Sequence, residues 1–304
     1  MDSYIKLGKK IYDLNNPREM RRFVVFVARC YLNSQKINRL EEFFSQSKIL
    51  QKVAEKFPFV YEQATRAFFY YKSTFDKRIK LIEEHFTFLI QSMNEDFLFK
   101  IYGGEKILLW KMPLDETLKE MRLVISMQSG QKKEGLASIV LELADGTPVY
   151  QIMFWIAKDS AENFSMWIGA LQGPNVENSK DLIKILTKKC HAYRTKNLIL
   201  YAAQAVARAL NLKKIYAVTN YGYYANNHIR TDRKLKTSFS DFWQECGGTT
   251  TEDERFYNLP LIEYRKTYEE IPTQKRAVYR RRFQLLDEID AAILENILAF
   301  KRGD

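Results

Sequence analysis

Cysteine and histidine are scarce in this chain of 304 residues, which carries three of each. The cysteines are odd in number and far apart, unlike a disulfide framework or a CxxC metal site. They are Cys30, Cys190 and Cys246. The histidines form no closely spaced pair of zinc ligands, and they are His85, His191 and His228. We therefore expect a reducing compartment and no structural metal.

Long apolar runs are missing as well. Runs such as Phe23–Ala28 and Val149–Ala157 fall well short of the roughly 18 to 20 residues that cross a bilayer. The first residues, Met1–Lys6, do not follow the basic, apolar and small-residue order of a secretory signal. The sequence therefore predicts a cytoplasmic protein without a transmembrane segment.

Positive charge is in excess, with 48 lysines and arginines against 37 acidic residues and a net charge of +11. Such an excess attracts phosphate-rich partners, which include nucleic acid, anionic lipid head groups and nucleotide-bearing cofactors. A solvated lysine-rich surface would give the same composition. The sign of the charge therefore predicts an anionic ligand but does not identify it.

Periodicity separates a helical first part from a region of strands. Residues 1–102 place apolar side chains at helical spacing, as in the run after Pro17 and in Lys77–Met93. After Gly103 the period changes, and Asp145-Gly146 supplies the positive φ angles of a tight hairpin turn. The strands predicted here are Ile107–Trp110, Leu123–Met127, Ser138–Leu143, Val149–Ile156 and Ser165–Leu171.

Helices and short strands alternate in the rest of the chain. The predicted elements are the helices Ser179–Lys189 and Lys196–Leu210, the strands Ile215–Thr219 and Leu259–Tyr264, and a final helix over Thr273–Phe300. The predicted fold is α+β, in three parts. A helical N-terminal region (residues 1–102) packs on a core with a mixed, mostly antiparallel sheet (103–270), and a long basic C-terminal helix (271–304) packs on that core.

Several motifs follow one another in the second half of the chain. They are Glu134-Gly135 before a strand, Ile168–Gly173, Leu186–Lys196, Ala217–Asn220, Phe239–Glu245 with Gly247-Gly248, and Glu269–Ile271 followed by Lys275–Arg282. In wording and order they resemble the VirK/YbjX family of Gram-negative bacteria. The resemblance covers most of residues 80–290, whereas residues 1–75 match only in helical character.

The resemblance implies a role in envelope integrity, virulence or resistance to cationic antimicrobial peptides, and it supplies no catalytic mechanism. The family's usual wording has a glycine and a proline where this chain has Ala192 and Thr195. The backbone between the two helices is therefore a point of expected difference.

One enzymatic hypothesis is an acyltransferase, because a meander followed by strand, turn, helix and strand is similar to the acetyltransferase superfamily. Acyl-coenzyme A would place its pyrophosphate at a helix N-terminus near Gln172 and Gly173. However, Pro174 removes an amide donor, Glu177 adds a repelling charge, and the superfamily's glycine-rich phosphate loop is missing. A helix that is simply capped after a tight turn is the alternative.

Three side chains are candidates for the chemistry of such an enzyme. Glu134 is a candidate base, and His191 is a second one, since the ordinary pKa of histidine lies near neutrality. Tyr223 is a candidate proton donor to the leaving thiolate. Each of the three could instead be structural. Glu134 could end a hairpin, and the rings of His191 and Tyr223 could simply pack.

Two groups of cations are candidate anion sites. Arg194 and Lys196 stand at a helix start, where a bound anion or packing against acidic residues would offset their charge. The second group holds five cations within about two helical turns: Lys275, Arg276, Arg280, Arg281 and Arg282. It suits lipid phosphates, lipid A precursors or RNA, and salt bridges to Glu269, Glu270, Asp287 and Glu288 are the alternative.

No zinc finger, RNP-like motif, helix-turn-helix or Gly-x-Ser-x-Gly elbow occurs in the sequence. Two functions therefore stay open. The first is cytoplasmic support of envelope remodelling by an acyltransferase that uses acyl-coenzyme A. The second is a non-enzymatic basic adaptor that binds anionic lipid, RNA or a protein partner, with peripheral contact to the inner membrane.

Overall fold

The computed structural model describes residues 2–127, 132–227 and 238–303. Within the first of these ranges, seven helices precede most of the sheet. They are α1 Asp2–Ile11, α2 Pro17–Leu32, α3 Ser34–Ser45, α4 Lys48–Lys56, α5 Phe59–Thr65, α6 Phe75–Ser92 and α7 Glu95–Tyr102. Polar side chains cap several starts, since Asn16, Ser47, Thr74 and Asn94 each accept a hydrogen bond from a first-turn N–H.

Eight strands of the described chain form one sheet in the order β1-β2-β3-β4-β5-β6-β8-β7. They are β1 Lys106–Pro113, β2 Glu120–Ser126, β3 Ala137–Leu143, β4 Pro148–Lys158, β5 Phe164–Gln172, β6 Ile215–Val218, β7 Thr249–Thr250 and β8 Phe256–Leu259. All neighbours pair antiparallel except β5 and β6, which are parallel. This confirms the predicted α+β fold with a mostly antiparallel sheet.

Four further helices complete the described chain. They are α8 Ser179–Lys189, α9 Thr195–Ala209, α10 Phe239–Glu245 and α11 Arg276–Leu298. The crossover from β5 to β6 runs through α8 and α9, as a parallel strand pair requires. Every residue of β3 is buried, so both faces of the sheet are covered there, because side chains alternate between faces along a strand.

The helices pack closely on this sheet. α6 packs on β4, α9 packs on β3 and β4, and α11 packs on β1 and α9. One buried histidine fastens the first of these contacts: His85 on α6 accepts a hydrogen bond from the N–H of Ile156 on β4 at Nδ1 (3.0 Å). Its Nε2 therefore carries the proton and lies 2.7 Å from the hydroxyl of Tyr102. Burial lowers the pKa of His85 to about 3, so the ring stays neutral in the core.

One predicted strand is wrong in its position. The strand expected over Leu259–Tyr264 is instead β8, which ends at Leu259. Pro260 has no N–H to give to the ladder, so the strand stops before it. The residues beyond are largely exposed, with 72% of Ile262 and 71% of Tyr264 accessible.

The parallel strands β5 and β6 pair over only part of their length. Pairing runs only from Met166 to Ile168 on β5 and from Ile215 to Ala217 on β6. Beyond Ile168, β5 continues to Gln172. The carboxyl ends of parallel strands are where open sheets commonly hold ligands, and the candidate residues meet at this edge.

Candidate functional site

A β-bulge interrupts β5 just before its carboxyl end. Met153 of β4 pairs with Ala170, and the next residue, Phe154, pairs with Ile168. Gly169 is therefore the extra residue that the ladder leaves unpaired. Bulges re-aim the side chains around them and are frequent beside active sites.

The segment before β3 crosses directly over this bulge. A Cβ atom on Gly169 would lie 1.9 Å from the carbonyl oxygen of Glu134. A Cβ on Gly135 would lie 2.6 Å from the backbone nitrogen of Phe154. Only glycine allows both close approaches, and these two glycines belong to the motifs Glu134-Gly135 and Ile168–Gly173.

Helix α5 holds the same segment from the other side. The side-chain amide of Gln63 donates hydrogen bonds to the carbonyl oxygens of Lys132 (2.7 Å) and Gly135 (2.9 Å). The N–H of Phe69 donates to the carbonyl of Lys133 at 2.9 Å. The backbone on both sides of Glu134 is therefore fixed, and its side chain points inward.

The carboxylate of Glu134 is 3% exposed and has both oxygens engaged. Its Oε1 accepts a hydrogen bond from the hydroxyl of Tyr223, and its Oε2 accepts one from the side-chain amide of Gln172, each at 2.7 Å. Gln172 is held in turn by the amide of Gln151 at 2.8 Å. Burial raises the pKa of Glu134 to about 7, although hydrogen bonds from Tyr223 and Gln172 and the nearby charge of Lys133 oppose it.

Tyr223 reaches this carboxylate from the loop after β6. Gly222 anchors the loop, since its N–H donates to Thr219 Oγ1 at 2.9 Å and its carbonyl accepts from the N–H of Tyr71 at 2.8 Å. The Tyr223 ring packs edge-on against Phe239 of α10, with centroids 5.4 Å apart. Burial and the neighbouring carboxylate raise the pKa of Tyr223, so the phenol stays protonated and donates a hydrogen bond to Glu134.

The cations at the start of α9 border the same edge of the sheet. Arg194 binds Glu245, with a shortest N–O distance of 2.6 Å, and its Nε donates to Asn197 at 3.0 Å. Lys196 lies 3.9 Å from the ring centroid of Phe242 on α10, and burial lowers its pKa. Arg194 is therefore neutralised by an acid in this structure, whereas Lys196 meets an aromatic face.

Tyr150 connects these cations with the end of β5. Its ring would lie 3.3 Å from a Cβ placed on Gly173. Burial raises the pKa of Tyr150, and the charge of nearby Arg194 opposes this. The predicted cofactor residues Gln172, Gly173 and Arg194 are thus neighbours in space. A cavity of about 510 Å³ lies beside the ion pair of Arg194 and Glu245, lined by residues that include Asn197, Glu245 and Cys246.

His191 lies apart from Glu134 and its two partners. It follows α8, and its carbonyl oxygen accepts hydrogen bonds from the guanidinium of Arg282 at 3.2 and 3.3 Å. Both oxygens of Glu134 are bound by Tyr223 and Gln172. The structure therefore brings together Glu134, Tyr223 and Gln172 and leaves His191 in the connection between two helices.

The backbone of this connection explains why the family has a glycine and a proline at the positions of Ala192 and Thr195. Ala192 has φ +57°, the left-handed region in which glycine is unstrained. Thr195 is the first residue of α9, the position that favours proline. The hydroxyl of Thr195 is buried without a hydrogen-bond partner among the described residues. The chain therefore adopts a backbone suited to glycine and proline while using neither.

The basic start of α11 makes no ion pairs with the described carboxylates. Arg276 stacks on Tyr268, 3.8 Å from the ring centroid, and Arg282 binds backbone carbonyls. Three of the four acids expected to bridge this helix have other partners: Asp287 binds Arg265, Glu270 binds Tyr264, and Glu288 binds Gln284. The fourth, Glu269, has its pKa lowered chiefly by hydrogen bonds and, to a smaller extent, by the charge of Arg276. The exposed members of the group are Lys275, Arg280 and Arg281.

Sequence reasoning missed the residues that support the site. They are Gln63, Gln151 and Tyr150. The one sequence signal near these residues was Gly169, since a glycine inside a strand indicates that another backbone segment approaches closely.

No group of three or more metal-ligating side chains occurs in the described ranges, and His228 lies outside them. No helix of the described residues is long and apolar enough to span a membrane.

Comparison with known proteins places the chain in a family. The model of the family described as "Protein of unknown function (DUF535)" matches residues 15–295. YbjX of Escherichia coli K12 is 33% identical over 173 residues, which are 56% of this chain and 52% of YbjX, so the match spans about half of that relative. An uncharacterized protein of Haemophilus influenzae is 26% identical over 275 residues, 88% of this chain and 87% of that protein.

A more distant relative is the "Membrane protein LapB" of Mannheimia haemolytica, 23% identical over 192 residues, which are 62% of this chain and 79% of LapB. No solved structure matches. The family model covers almost the whole chain, and the YbjX match confirms the resemblance seen in the motifs. The chain belongs to the DUF535 family, the family of the VirK/YbjX proteins.

Proposed function

We propose that this protein is an acyltransferase that moves an acyl group from acyl-coenzyme A to a hydroxyl or amine of an envelope lipid or glycolipid, in the cytoplasm. One observation carries the proposal: a carboxylate with a pKa of about 7 is buried behind a partly exposed tyrosine at the diverging ends of the parallel pair. A base whose pKa lies near the working pH is suited to proton transfer.

The hydrogen bond from Tyr223 to Glu134 sets the direction of the proton relay. The acceptor's O–H or N–H gives its proton to the phenol oxygen of Tyr223 as the phenol proton passes to Glu134. The freed oxygen or nitrogen attacks the thioester carbonyl carbon, and the tetrahedral intermediate then breaks its C–S bond. The thiolate leaves and takes a proton from Tyr223, and the phenol oxygen of Tyr223 recovers a proton from Glu134, so both side chains return to their starting states.

The bulge at Gly169 supports this chemistry. A bulged residue leaves a backbone N–H of the ladder without its strand partner. Such donors stabilise the oxyanion of a tetrahedral intermediate when they are fixed beforehand. The order of strands, with a crossover through helices between the two parallel strands, is also similar to the acetyltransferase superfamily.

The cofactor would lie along the start of α9. The first N–H groups of a helix have no partner within it and attract pyrophosphate. Lys196 adds a positive charge beside them, and Arg194 would exchange Glu245 for the anion. In this proposal Gln172 and Gly173 face the pantetheine end, because Gln172 touches the candidate base.

The family resemblance gives the proposal its biological setting, which is envelope integrity, virulence or resistance to antimicrobial peptides. A second function is favoured by one observation, the three exposed cations at the start of α11 that form no ion pair with a described acid. They are Lys275, Arg280 and Arg281. In that proposal the protein is a basic adaptor that binds anionic lipid, RNA or a protein partner at Lys275–Arg282. Peripheral contact with the inner membrane would follow from the lipid-binding form.

The test is thermal stabilisation of the full chain by a panel of coenzyme A, acyl-coenzyme A, acyl-carrier protein, nucleotides, RNA and anionic lipid, each at low and moderate salt. A ligand that binds the native state raises the melting temperature. We expect a saturable shift with acyl-coenzyme A that survives moderate salt and is lost in Arg194→Ala. The matched variant Glu245→Ala removes the same ion pair but keeps the cation, so it should retain the shift.

Two outcomes would contradict the acyltransferase. One is the absence of any shift with acyl-coenzyme A, together with RNA or lipid binding that weakens steeply with salt, as expected of the adaptor. The other is an equal loss of the shift in Arg194→Ala and Glu245→Ala, which would mean that the ion pair matters only for folding.

A further inference from the structure

A cavity of about 660 Å³ lies between α2, α5 and Tyr12 after α1, and its lining includes neither Glu134 nor the two side chains that bind its carboxylate. Five arginines line it, together with one carboxylate among its described lining residues. They are Arg18, Arg21, Arg22, Arg29, Arg66 and Glu62. The wall of the cavity therefore carries a strong excess of positive charge.

The single carboxylate is already used. Glu62 is 2% exposed and binds Arg66 at 2.8 Å. Its charge also adds to burial in raising the pKa of Tyr12, whose phenol faces it. Arg18, Arg21, Arg22 and Arg29 form no side-chain hydrogen bond or ion pair with another described residue. Four guanidinium groups thus share a cavity in which no described carboxylate is bonded to them, and Glu62 acts on Arg29 only through space.

The spacing on α2 produces this cluster. Arg18, Arg22, Val25 and Arg29 recur at intervals of four, three and four residues, so they occupy one face of the helix. The cost of the arrangement is visible at Arg29, whose pKa is lowered by burial and then by the charge of Arg66. A bound polyanion would remove this repulsion, and guanidinium groups match phosphate oxygens in paired hydrogen bonds.

An exposed apolar strip lies on the arginine face of the same helix. It consists of Val25, which is 41% exposed, and Leu32, which follows seven residues later and is 83% exposed. A helix that offers basic and apolar side chains together to the outside is suited to the interface of an anionic bilayer. A free phosphate would use the arginines and leave this strip in water.

We propose that this cavity binds the phosphate head group of an anionic lipid and that α2 lies on the bilayer surface through Val25 and Leu32. This proposal does not depend on acyl transfer, because the cavity shares no lining residue with the Glu134 cluster. Phosphomonoester groups suit the site best, since they present several oxygens and up to two charges to the four unpaired arginines.

The test uses two probes on the full chain. Inorganic pyrophosphate reports phosphate binding by calorimetry, and sedimentation with phosphatidylcholine vesicles, with or without phosphatidic acid, reports lipid binding. The variant is Arg21→Gln with Arg22→Gln. Arg66 stays, because its removal would leave Glu62 buried and unpaired. The control is Lys184→Gln with Lys188→Gln, two exposed cations of α8 that change the net charge equally.

We expect sedimentation with phosphatidic acid vesicles alone, competition by pyrophosphate, and affinity for both probes weakened about tenfold or more in the arginine variant. The lysine control should bind like the unaltered chain, and both variants should melt normally. If the arginine variant and the lysine control lost equal affinity, the binding would depend on net charge alone, and the proposed site would be overturned. Binding of pyrophosphate without vesicle binding would overturn the lipid as ligand, and no binding of either probe would overturn the proposal entirely.

Discussion

The hydroxyl of Tyr223 donates a 2.7 Å hydrogen bond to the carboxylate of Glu134, which lies 89 residues earlier in the chain. This bond joins the loop after β6 to the segment before β3, and Gln172 closes the arrangement from the end of β5. Three parts of the sheet thus converge on one buried carboxylate. Burying the charge of this carboxylate costs free energy. Ionisable groups held at such a cost cluster at functional sites.

Glu134→Gln should change how stability depends on pH. The pKa of Glu134 is about 7 in the folded protein and near its ordinary value when unfolded, so the folded state holds the proton more tightly. The stabilisation by this proton is complete below pH 4.5 and is lost as the pH rises through 7. The stability of the variant relative to the unaltered chain should therefore increase by about 2 to 3 kcal/mol from pH 5 to pH 8. Urea unfolding at both pH values measures this.

Glu142 provides a matched control for that measurement. It is equally buried, but its carboxylate binds Lys106 at 2.6 Å and lies 3.3 Å from Arg122. Glu142→Gln should destabilise the protein, because it leaves these cations without their partner. A difference between Glu134→Gln and the unaltered chain that is the same at pH 5 and pH 8 would refute the raised pKa.

Ala192→Gly should stabilise the protein by about 1 kcal/mol, because it relieves a left-handed backbone that alanine adopts at a cost. Asn211→Gly is the comparison, since Asn211 has φ +58° and asparagine tolerates that conformation better. Its gain should be smaller. Thermal melts of the two variants would contradict this reading if Ala192→Gly gave no gain over Asn211→Gly.

Thr195→Pro should also raise stability, by about 0.4 to 1 kcal/mol. Proline fits the first helical turn, and Arg194 before it already has the extended φ −64°, ψ 132° that proline requires. The change also removes a buried hydroxyl that has no partner among the described residues. A lower melting temperature in Thr195→Pro would indicate that the backbone N–H of Thr195 is needed.

Tyr102→Phe should destabilise the core by about 1 to 3 kcal/mol, since His85 would keep a buried N–H without an acceptor. Tyr61→Phe is the control, because Tyr61 is buried to a similar degree and no described group bonds its hydroxyl. Denaturant titration of both variants measures the difference. Equal effects would mean that the hydrogen bond of His85 contributes nothing measurable.

Much of the fold could be predicted from local patterns. Helical spacing identified α2, α6, α8 and α9, and Asp145-Gly146 marked the turn between β3 and β4, where Gly146 takes φ +85°. The error at Leu259–Tyr264 arose because apolar content outweighed Pro260, which ends the strand. Local chemistry therefore predicted the elements well wherever no single backbone constraint opposed composition.

The site was harder to predict because its members meet only through tertiary structure. Glu134, Gln172 and Tyr223 were each singled out, but for separate roles, and nothing in their spacing indicates that one carboxylate binds the other two. Gly169 explains the contact only when the bulge is known. The arginine face of α2 was present in the sequence as a helical repeat, and it gained meaning only with the cavity beside α5.

The most direct test of the central claim is the release of coenzyme A thiol from acyl-coenzyme A, with a panel of amine and hydroxyl acceptors, across pH 5 to 9. Acceptor-dependent release should rise through pH 7 as Glu134 ionises. It should fall at least about a hundredfold in Glu134→Gln and Tyr223→Phe, and persist in Tyr216→Phe, a β6 tyrosine that stacks on Trp167. Release that is unchanged in Glu134→Gln and Tyr223→Phe, or absent with every acceptor from the unaltered chain, would contradict the account.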